Sequence, residues 1–383
     1  MKKALIVASV ASMIDQFNMP NIHLLQSLGY EVSVACNFVE GNSCSEERIE
    51  QLKRRLLELH VSFVHVDISR KLTSVSRNVR AYKALKKMID EGGYDIIHCH
   101  SPIGGLICRL AALSARKRGT VVMYTAHGFH FYRGAPKKNW IAFYPIEKLC
   151  SRFTDVLLTI NSEDRELAER KMHAGKVVYI SGVGIDTAAL AERKADRVEK
   201  RREIGIPENA FLLASVGEIN ANKNHGVVIR ALAELNDPNV YYVMIGKGEL
   251  EASHKELIAK LGLSDRVKLL GFREDVPEIY SVSDLCVFPS IREGLGVAAI
   301  EGMACGLPLL VADNRGTRDY AKEGEGAFVC AYDDVHGFAE AIRRASASHE
   351  LLNKMCEHNL EAVKKYDISK INEIMKEVYG GEQ

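Results

Sequence analysis

The residues best placed to do chemistry lie in REGLGVAAIEGMACGLPLL, Arg292 to Leu310. Glu293 and Glu301 flank the turn Gly294-Leu295-Gly296, and a small-residue helical run starts at about Val297. Glycines let a ligand approach the backbone closely, and a fresh helix N-terminus offers an anion unpaired N–H groups and the positive end of a dipole. Carboxylates repel phosphate but accept hydrogen bonds from hydroxyls. The cluster therefore suits a ligand with a diphosphate in its middle and sugar hydroxyls on both sides, as in a nucleotide-sugar. An exposed loop glutamate beside a helix-surface glutamate would leave the glycines and the small residues Ala298, Ala299, Gly302, Ala304 and Gly306 unexplained.

The elements that must position these residues read as strand–helix units throughout. Apolar, strand-like runs fall at Ala4–Ala8, Val32–Ala35, Phe63–Val66, Ile96–Cys99, Val121–Thr125, Val156–Ile160 and Val177–Ile180. A second series follows at Phe211–Val216, Tyr241–Ile245, Val267–Leu270, Leu285–Phe288, Leu309–Ala312 and Ala327–Cys330. Strands alternating with helices imply doubly wound parallel sheets, and 383 residues suit two domains rather than one core. The junction falls at Ser181-Gly182-Val183-Gly184-Ile185-Asp186, before a charged helix expected over Ala191–Ile204. Ligands of such folds bind at the carboxyl ends of strands. The polar and Gly clusters lie there: Ser9–Ser12, Ser101–Gly105, His127-Gly128, Gly217–Lys223, Gly246-Lys247-Gly248 and Glu293–Gly296. Lys223 follows a strand and a Gly turn, at the start of a helix expected over Asn224–Leu235.

Composition excludes several classes. No uncharged apolar run is long enough to span a membrane, and MKKALIVASVASMID reads as a first buried strand rather than a signal peptide. Nine scattered cysteines without a C-x-x-C pair argue for free thiols in a reducing cytoplasm. His98-Cys99-His100 mimics a metal cluster but continues a strand, so packing is the better reading, and no Asp-x-Asp pair offers a divalent-ion site. The net charge of +1 conceals an asymmetry: residues 1–180 carry 26 Lys and Arg against 17 Asp and Glu, and the remainder 25 against 33. A basic half suits an anionic surface such as lipid headgroups, or simply solvated helix faces. No aromatic-interleaved basic groove suggests nucleic acid. The aromatic segment Phe129–Trp140, with Arg133, Lys137 and Lys138, is a candidate interfacial contact.

At this point the chain resembles the retaining glycosyltransferases of family four, over essentially its full length. The resemblance rests on the glutamate pair within Pro289–Pro308, on Ser215–Lys223, on Val183-Gly184-Ile185-Asp186 and on Leu269-Leu270-Gly271-Phe272. Within the family, Thr125–Pro136 and Arg315–Asp319 are similar to enzymes of capsular and exopolysaccharide assembly. The resemblance implies an α/β, GT-B architecture: two Rossmann-like domains facing a cleft, residues 1–183 binding acceptor and 184–365 binding donor, with a C-terminal helix at about 366–383 packing back on the first. It implies a UDP-sugar donor, no metal or other cofactor, a polyprenyl-diphosphate-linked saccharide acceptor, and a cytoplasmic enzyme peripheral to the inner membrane face. It assigns Glu301 to the ribose and Glu293 to donor-sugar hydroxyls. The backbone of Gly294, Leu295, Gly296 and Val297 would hold the diphosphate or sugar, with Gly217 and Lys223 at the leaving diphosphate. Phe272 and Arg273 would flank the base, His127 would reach the donor sugar, and Ser9 to Ser12 would form a loop beneath it; His130 is a further candidate.

Two departures from the family pattern matter. Glu218 stands where relatives often carry an Arg that pairs with the Lys on the diphosphate, so Arg292 or Lys247 would have to supply the second cation. The first loop has Ser9-Val10-Ala11-Ser12 in place of Gly-Gly. Arg318 and Asp319 read better as a helix start than as donor contacts. The alternatives are an isomerase such as a UDP-N-acetylglucosamine epimerase on a related scaffold, which lacks this glutamate pair, and a non-catalytic sugar-nucleotide-binding subunit. A nicotinamide oxidoreductase is disfavoured because no G-x-G-x-x-G follows the first strand.

Overall fold

The computed structural model describes residues 1–71 and 73–381. It comprises two compact units: Met1–Val183 together with the segment from Ser369, and Gly184–Ile368. Glu382 and Gln383, within the expected C-terminal helix, lie outside the described residues.

In the first unit, β1 (Lys2–Val10), β2 (Tyr30–Asn37), β3 (Ser62–His65), β4 (Ile96–His100), β5 (Val121–Ala126), β6 (Val156–Thr159) and β7 (Lys176–Tyr179) form a sheet ordered β3-β2-β1-β4-β5-β6-β7. In the second, β8 (Phe211–Val216), β9 (Val240–Ile245), β10 (Val267–Gly271), β11 (Leu285–Phe288), β12 (Leu309–Ala312) and β13 (Ala327–Cys330) are ordered β10-β9-β8-β11-β12-β13. Every strand pairing is parallel. All of the apolar runs read from sequence are strands. Helices cover both faces of each sheet, so central strands such as β11 and β12 are buried along their whole length. The strand order reverses between β1 and β4 and between β8 and β11. At these switch points diverging connections open a crevice.

Three local expectations need correction. Ser9 to Ser12 is not a loop: β1 runs to Val10, and a helix begins at Ala11. The Ser9 hydroxyl lies 2.6 Å from that of Ser101 and accepts from the Gly104 N–H, and the Ser12 hydroxyl accepts from the Ser43 N–H. Both serines are buried in strand-end packing. The charged helix expected over Ala191–Ile204 is two helices, Thr187–Glu192 and Arg197–Glu203. Asp186 and Asp196 each accept from a backbone N–H three residues on, so each starts its own helix. The rings of Phe129 and Phe131, expected at an interface, are 3% and 0% exposed and stack 4.8 Å apart inside the first unit. What the helix Lys137–Ser151 exposes instead is Ile141 and Leu149.

The segment from Ser369 completes the first unit. Tyr379 is buried there, its hydroxyl 2.7 Å from His98 Nδ1 and its carbonyl accepting from the Tyr30 hydroxyl. Within the second unit, Gly184 abuts Ile368 so closely that an added Cβ would lie 2.5 Å from Ile368 Cδ1 and 2.9 Å from its Cα. At φ of +81° the residue also favours glycine.

One buried ion pair ties helices of the first unit together. Arg109 Nη2 donates to Glu147 Oε2 at 2.8 Å, and the Tyr124 hydroxyl donates to Glu147 Oε1 at 3.2 Å. The guanidinium lies 4.0 Å from the Tyr124 ring centroid. Arg109 is 1% exposed, so removing its partner strands a charge. Glu147→Ala is expected to cost about 3–5 kcal/mol, because a lone buried charge keeps its desolvation penalty. Urea unfolding followed by fluorescence of Trp140, the single tryptophan, measures the loss; a cost below about 1 kcal/mol contradicts this account.

Candidate functional site

The second unit gathers the predicted residues at its switch point. The connection after β8 passes through Gly217 to the helix His225–Leu235, and the connection after β11 passes through Glu293 to the helix Val297–Ala304. Three asparagines in alternate positions sew these connections together. Asn220 Oδ1 accepts from the Lys223 N–H. Asn222 Nδ2 donates to the Arg292 carbonyl, and its own carbonyl accepts from Ile291. Asn224, left-handed at φ 56°, donates to the carbonyls of Pro289 and Tyr332. Across this seam Lys223 Nζ meets Glu293 Oε1 at 2.7 Å, with Phe288 beneath the ammonium at 5.0 Å. The two groups that the resemblance assigns to diphosphate and sugar are thus paired with each other.

Glycines set the close approaches. A Cβ on Gly217 would lie 3.2 Å from Lys223 Cε. A Cβ on Gly246 would lie 2.0 Å from the Gly217 carbonyl oxygen, so the connection after β9 packs directly on the one after β8. Gly296, at φ of +92°, leads the helix Val297–Ala304, where a Cβ would clash with Phe288 and the Tyr320 hydroxyl. Gly302 faces the Cys286 thiol at a virtual 2.7 Å, which explains the small-residue helix: it lies almost against β11.

Glu301 is one turn into that helix. Its carboxylate has no hydrogen-bond partner among the described residues, and burial pushes its pKa up to about 7. A half-buried carboxylate without donors is an acceptor waiting for hydroxyls. Leu295 is buried, its backbone touching Gly316. Lys247 and Arg292 are exposed and have no ion-pair partner among the described residues. Phe272 is 69% exposed just after β10. Arg273 is not a free neighbour of a base: its guanidinium is held by Asp275 and Glu203.

His127 and His130 belong to the first unit. His127 follows β5, partly buried, its Nε2 3.1 Å from Nδ1 of buried His100. Burial lowers the His127 pKa to about 4, leaving a neutral ring. The ring of His130 lies 4.5 Å from that of Phe143. His98 and His100 share one face of β4, as strand packing requires, and His98 is hydrogen-bonded at both nitrogens. Sequence reasoning gave no role to Asn222 or Asn224, read His100 as strand packing and met Arg315 only within Arg315–Asp319; the Arg315 Nε–H donates to the Glu293 carbonyl at 3.3 Å. The alternating Asn220, Asn222 and Asn224 were a legible turn signal; nothing local shows that Arg315 meets Glu293 or that His100 meets His127.

Comparison with known proteins places these features in a family context. A family model described as glycosyl transferases group 1 matches residues 196–361, and one described as glycosyltransferase family 4 matches residues 22–188. The "Putative glycosyltransferase EpsD" of Bacillus subtilis (strain 168) is 36% identical over 99% of this chain and 96% of its own. A UDP-Gal:alpha-D-GlcNAc-diphosphoundecaprenol alpha-1,3-galactosyltransferase of Escherichia coli is 28% identical over 80% of each chain. Among solved structures, Anabaena Alr3699/HepE in complex with UDP-glucose superposes with a TM-score of 0.78 at 20% identity over the whole of both chains. WaaG, a glycosyltransferase involved in lipopolysaccharide biosynthesis, does so at 0.72 and 18%, over 99% of this chain and 100% of its own.

The raised Glu301 pKa carries a stability consequence. Unfolded, the group ionises near 4.5; folded, near 7. Between those values the unfolded state binds fewer protons, so stability falls as pH rises through the window. Glu301→Gln removes the penalty. The variant is expected to match the wild type at pH 4 and to exceed it at pH 8 by at most about 3 kcal/mol. Urea denaturation at the two pH values checks this; equal stability at both contradicts it.

Proposed function

Because this chain belongs to the glycosyl transferases of group 1 and family 4, we propose that it moves a hexose or N-acetylhexosamine from a UDP-sugar to a polyprenyl-diphosphate-linked saccharide, with retention and without a metal ion. The observation that carries this reading is the second unit's switch point: the Lys223–Glu293 pair stands before a glycine-led helix, with the unpartnered Glu301 carboxylate one turn inside it.

Breaking the bond from sugar to diphosphate builds negative charge on the leaving oxygen and positive charge on the sugar ring. Lys223 and the leading N–H groups of the helix Val297–Ala304 stabilise the first. Glu293, released from Lys223 as the diphosphate takes over the ammonium, accepts hydroxyls of the donor sugar. Glu301 accepts from the ribose hydroxyls, and Phe272 offers the base an aromatic face. Lys247 or Arg292, neither with an ion-pair partner among the described residues, supplies the second cation that Glu218 cannot. In retaining transfer the acceptor hydroxyl attacks from the leaving-group face and the departing diphosphate takes its proton. The relatives' names support a UDP-sugar donor and a diphosphate-linked lipid acceptor.

A lipid acceptor requires access to a membrane surface. Among the described residues no helix is long and apolar enough to cross a membrane. The helix Lys137–Ser151 presents Ile141, 77% exposed, and Leu149, 53% exposed, along one stripe with Lys138, Ala142 and Pro145. Each basic residue near an anionic surface contributes about 1 kcal/mol, weakened by salt, and the apolar stripe adds shallow insertion.

Lys223→Ala and Glu301→Ala are each expected to lower transfer roughly 100-fold or more with unchanged circular dichroism, as losing a charge-assisted contact to the leaving group or nucleotide requires. Mass spectrometry of products from a panel of UDP-sugars and polyprenyl-diphosphate acceptors reads the reaction directly. Near-normal turnover in either variant overturns the roles. The same assay after dialysis against chelator is expected to retain activity; loss restored by magnesium or manganese overturns metal independence. The wild type is expected to sediment with phosphatidylglycerol vesicles at low salt and not with phosphatidylcholine, and Ile141→Glu with Leu149→Glu to abolish it. Equal binding to both lipids, or none, removes the membrane argument.

A further inference from the structure

His98, His100 and His127 form a buried-to-exposed series in the first unit. The rings of His98 and His100 lie 4.2 Å apart on β4. His98 is satisfied at both nitrogens, by the Tyr379 hydroxyl and the Thr125 hydroxyl, each at 2.7 Å. His100 is 1% exposed; its Nδ1 meets His127 Nε2 at 3.1 Å, and its Nε2 is buried with no partner. His127 Nδ1 has no partner among the described residues, yet it is not among the fully buried unpartnered atoms, so a ligand can reach it.

Burial holds all three rings below their ordinary titration range, so at neutral pH each carries one proton. The His100–His127 hydrogen bond then has two possible forms. If His127 Nε2–H donates, the single proton of His100 must sit on Nε2, where it is a buried N–H without an acceptor. If His100 Nδ1–H donates, His100 Nε2 is a bare lone pair, and the proton of His127 sits on Nδ1. Buried N–H groups without acceptors are rarer in proteins than under-used acceptors. The second form is therefore favoured, and it leaves the proton of His127 on Nδ1.

We propose that His100 is a positioning residue that fixes His127 as the Nδ1–H tautomer, so that His127 meets its ligand as a hydrogen-bond donor and not as a base. This rests on the reading above that His127 contacts the donor sugar. A donor suits a sugar oxygen, including one that gains charge during transfer. A bare Nδ1 would instead compete for hydroxyl protons. The device is the second-shell logic by which one ring nitrogen's partner decides what the other can do.

The tautomer is measurable without any assay of activity. In the full chain labelled with 15N-histidine, long-range couplings between ring nitrogens and carbon-bound ring protons report which nitrogen is protonated, and a His127→Gln sample assigns the ring. The expected result is protonated Nδ1 on His127; protonated Nε2 overturns the proposal. Kinetics give a second reading. His100→Asn keeps an N–H donor near the Nδ1 position and is expected to hold kcat/KM for the UDP-sugar within about threefold. His100→Asp offers only acceptors, forces the opposite tautomer and is expected to lower kcat/KM roughly tenfold, the scale of one hydrogen bond. UDP, which lacks the sugar, is expected to bind both variants with unchanged Kd. Equal losses in the two variants, or none in His100→Asp, overturn the proposal. If no UDP-sugar serves as donor for the wild type, the transferase reading fails, while the couplings still decide the tautomer.

Discussion

The second unit depends on backbones that touch where β8, β9 and β11 end. A Cβ on Gly246 would strike the Gly217 carbonyl oxygen, one on Gly296 would strike Phe288 and the Tyr320 hydroxyl, and one on Gly217 would press on the Lys223 side chain. Asparagine side chains rather than apolar ones hold the seam, because the groups brought together are backbone carbonyls and N–H groups that need partners. From that constraint the rest follows. The helix Val297–Ala304 starts at Gly296, Lys223 is aimed across the seam, and Glu301 is carried into a half-buried position without donors among the described residues. Parallel order makes such a place at the switch point, and glycine lets the connections close on it.

The charges of the molecule fall into two kinds. Arg109 and Glu147 are buried and satisfied, with Tyr124 completing the set, so they hold helices in place. Glu301 is partly buried and unsatisfied, and burial raises its pKa. Such a group works against folding at neutral pH and is retained where a ligand uses it. Lys223 and Glu293 lie between the kinds: paired with each other, yet with side chains still 22% and 16% exposed. The first unit treats its histidines similarly. His98 is fully bonded and structural, whereas His100 is bonded to His127 and leaves its own Nε2 buried without a partner.

Much of this was legible in the chain itself. Runs such as Leu285–Phe288 and Leu309–Ala312 are continuous apolar segments of strand length between glycines and polar turns, so local pattern was enough to find every strand. The glutamate spacing, the glycine turn and Lys223 after a strand likewise marked the residues that the second unit gathers at its switch point, because each depends on residues a few positions apart. The chain also showed a basic half and an acidic half. It did not show which basic or apolar residues would be exposed. Phe129 and Phe131 looked interfacial and are core; Ile141 and Leu149 looked ordinary and are surface.

Only tertiary structure decided the pairings across long stretches of chain. Lys223 and Glu293 are 70 residues apart and His98 and Tyr379 are 281 apart, and no spacing in sequence links them. The break at Arg193–Asp196 escaped periodicity because a single capping carboxylate, Asp196, restarts the helix there. Ser9 and Ser12 read as a ligand loop until Ser101, Gly104 and Ser43 were seen to use their hydroxyls. Periodicity and turn chemistry are properties of neighbours, so they are written in the sequence. Exposure, the partner of a charge and the tautomer of a ring depend on which distant residue fills the adjoining space, and that is fixed only when the sheets and helices pack.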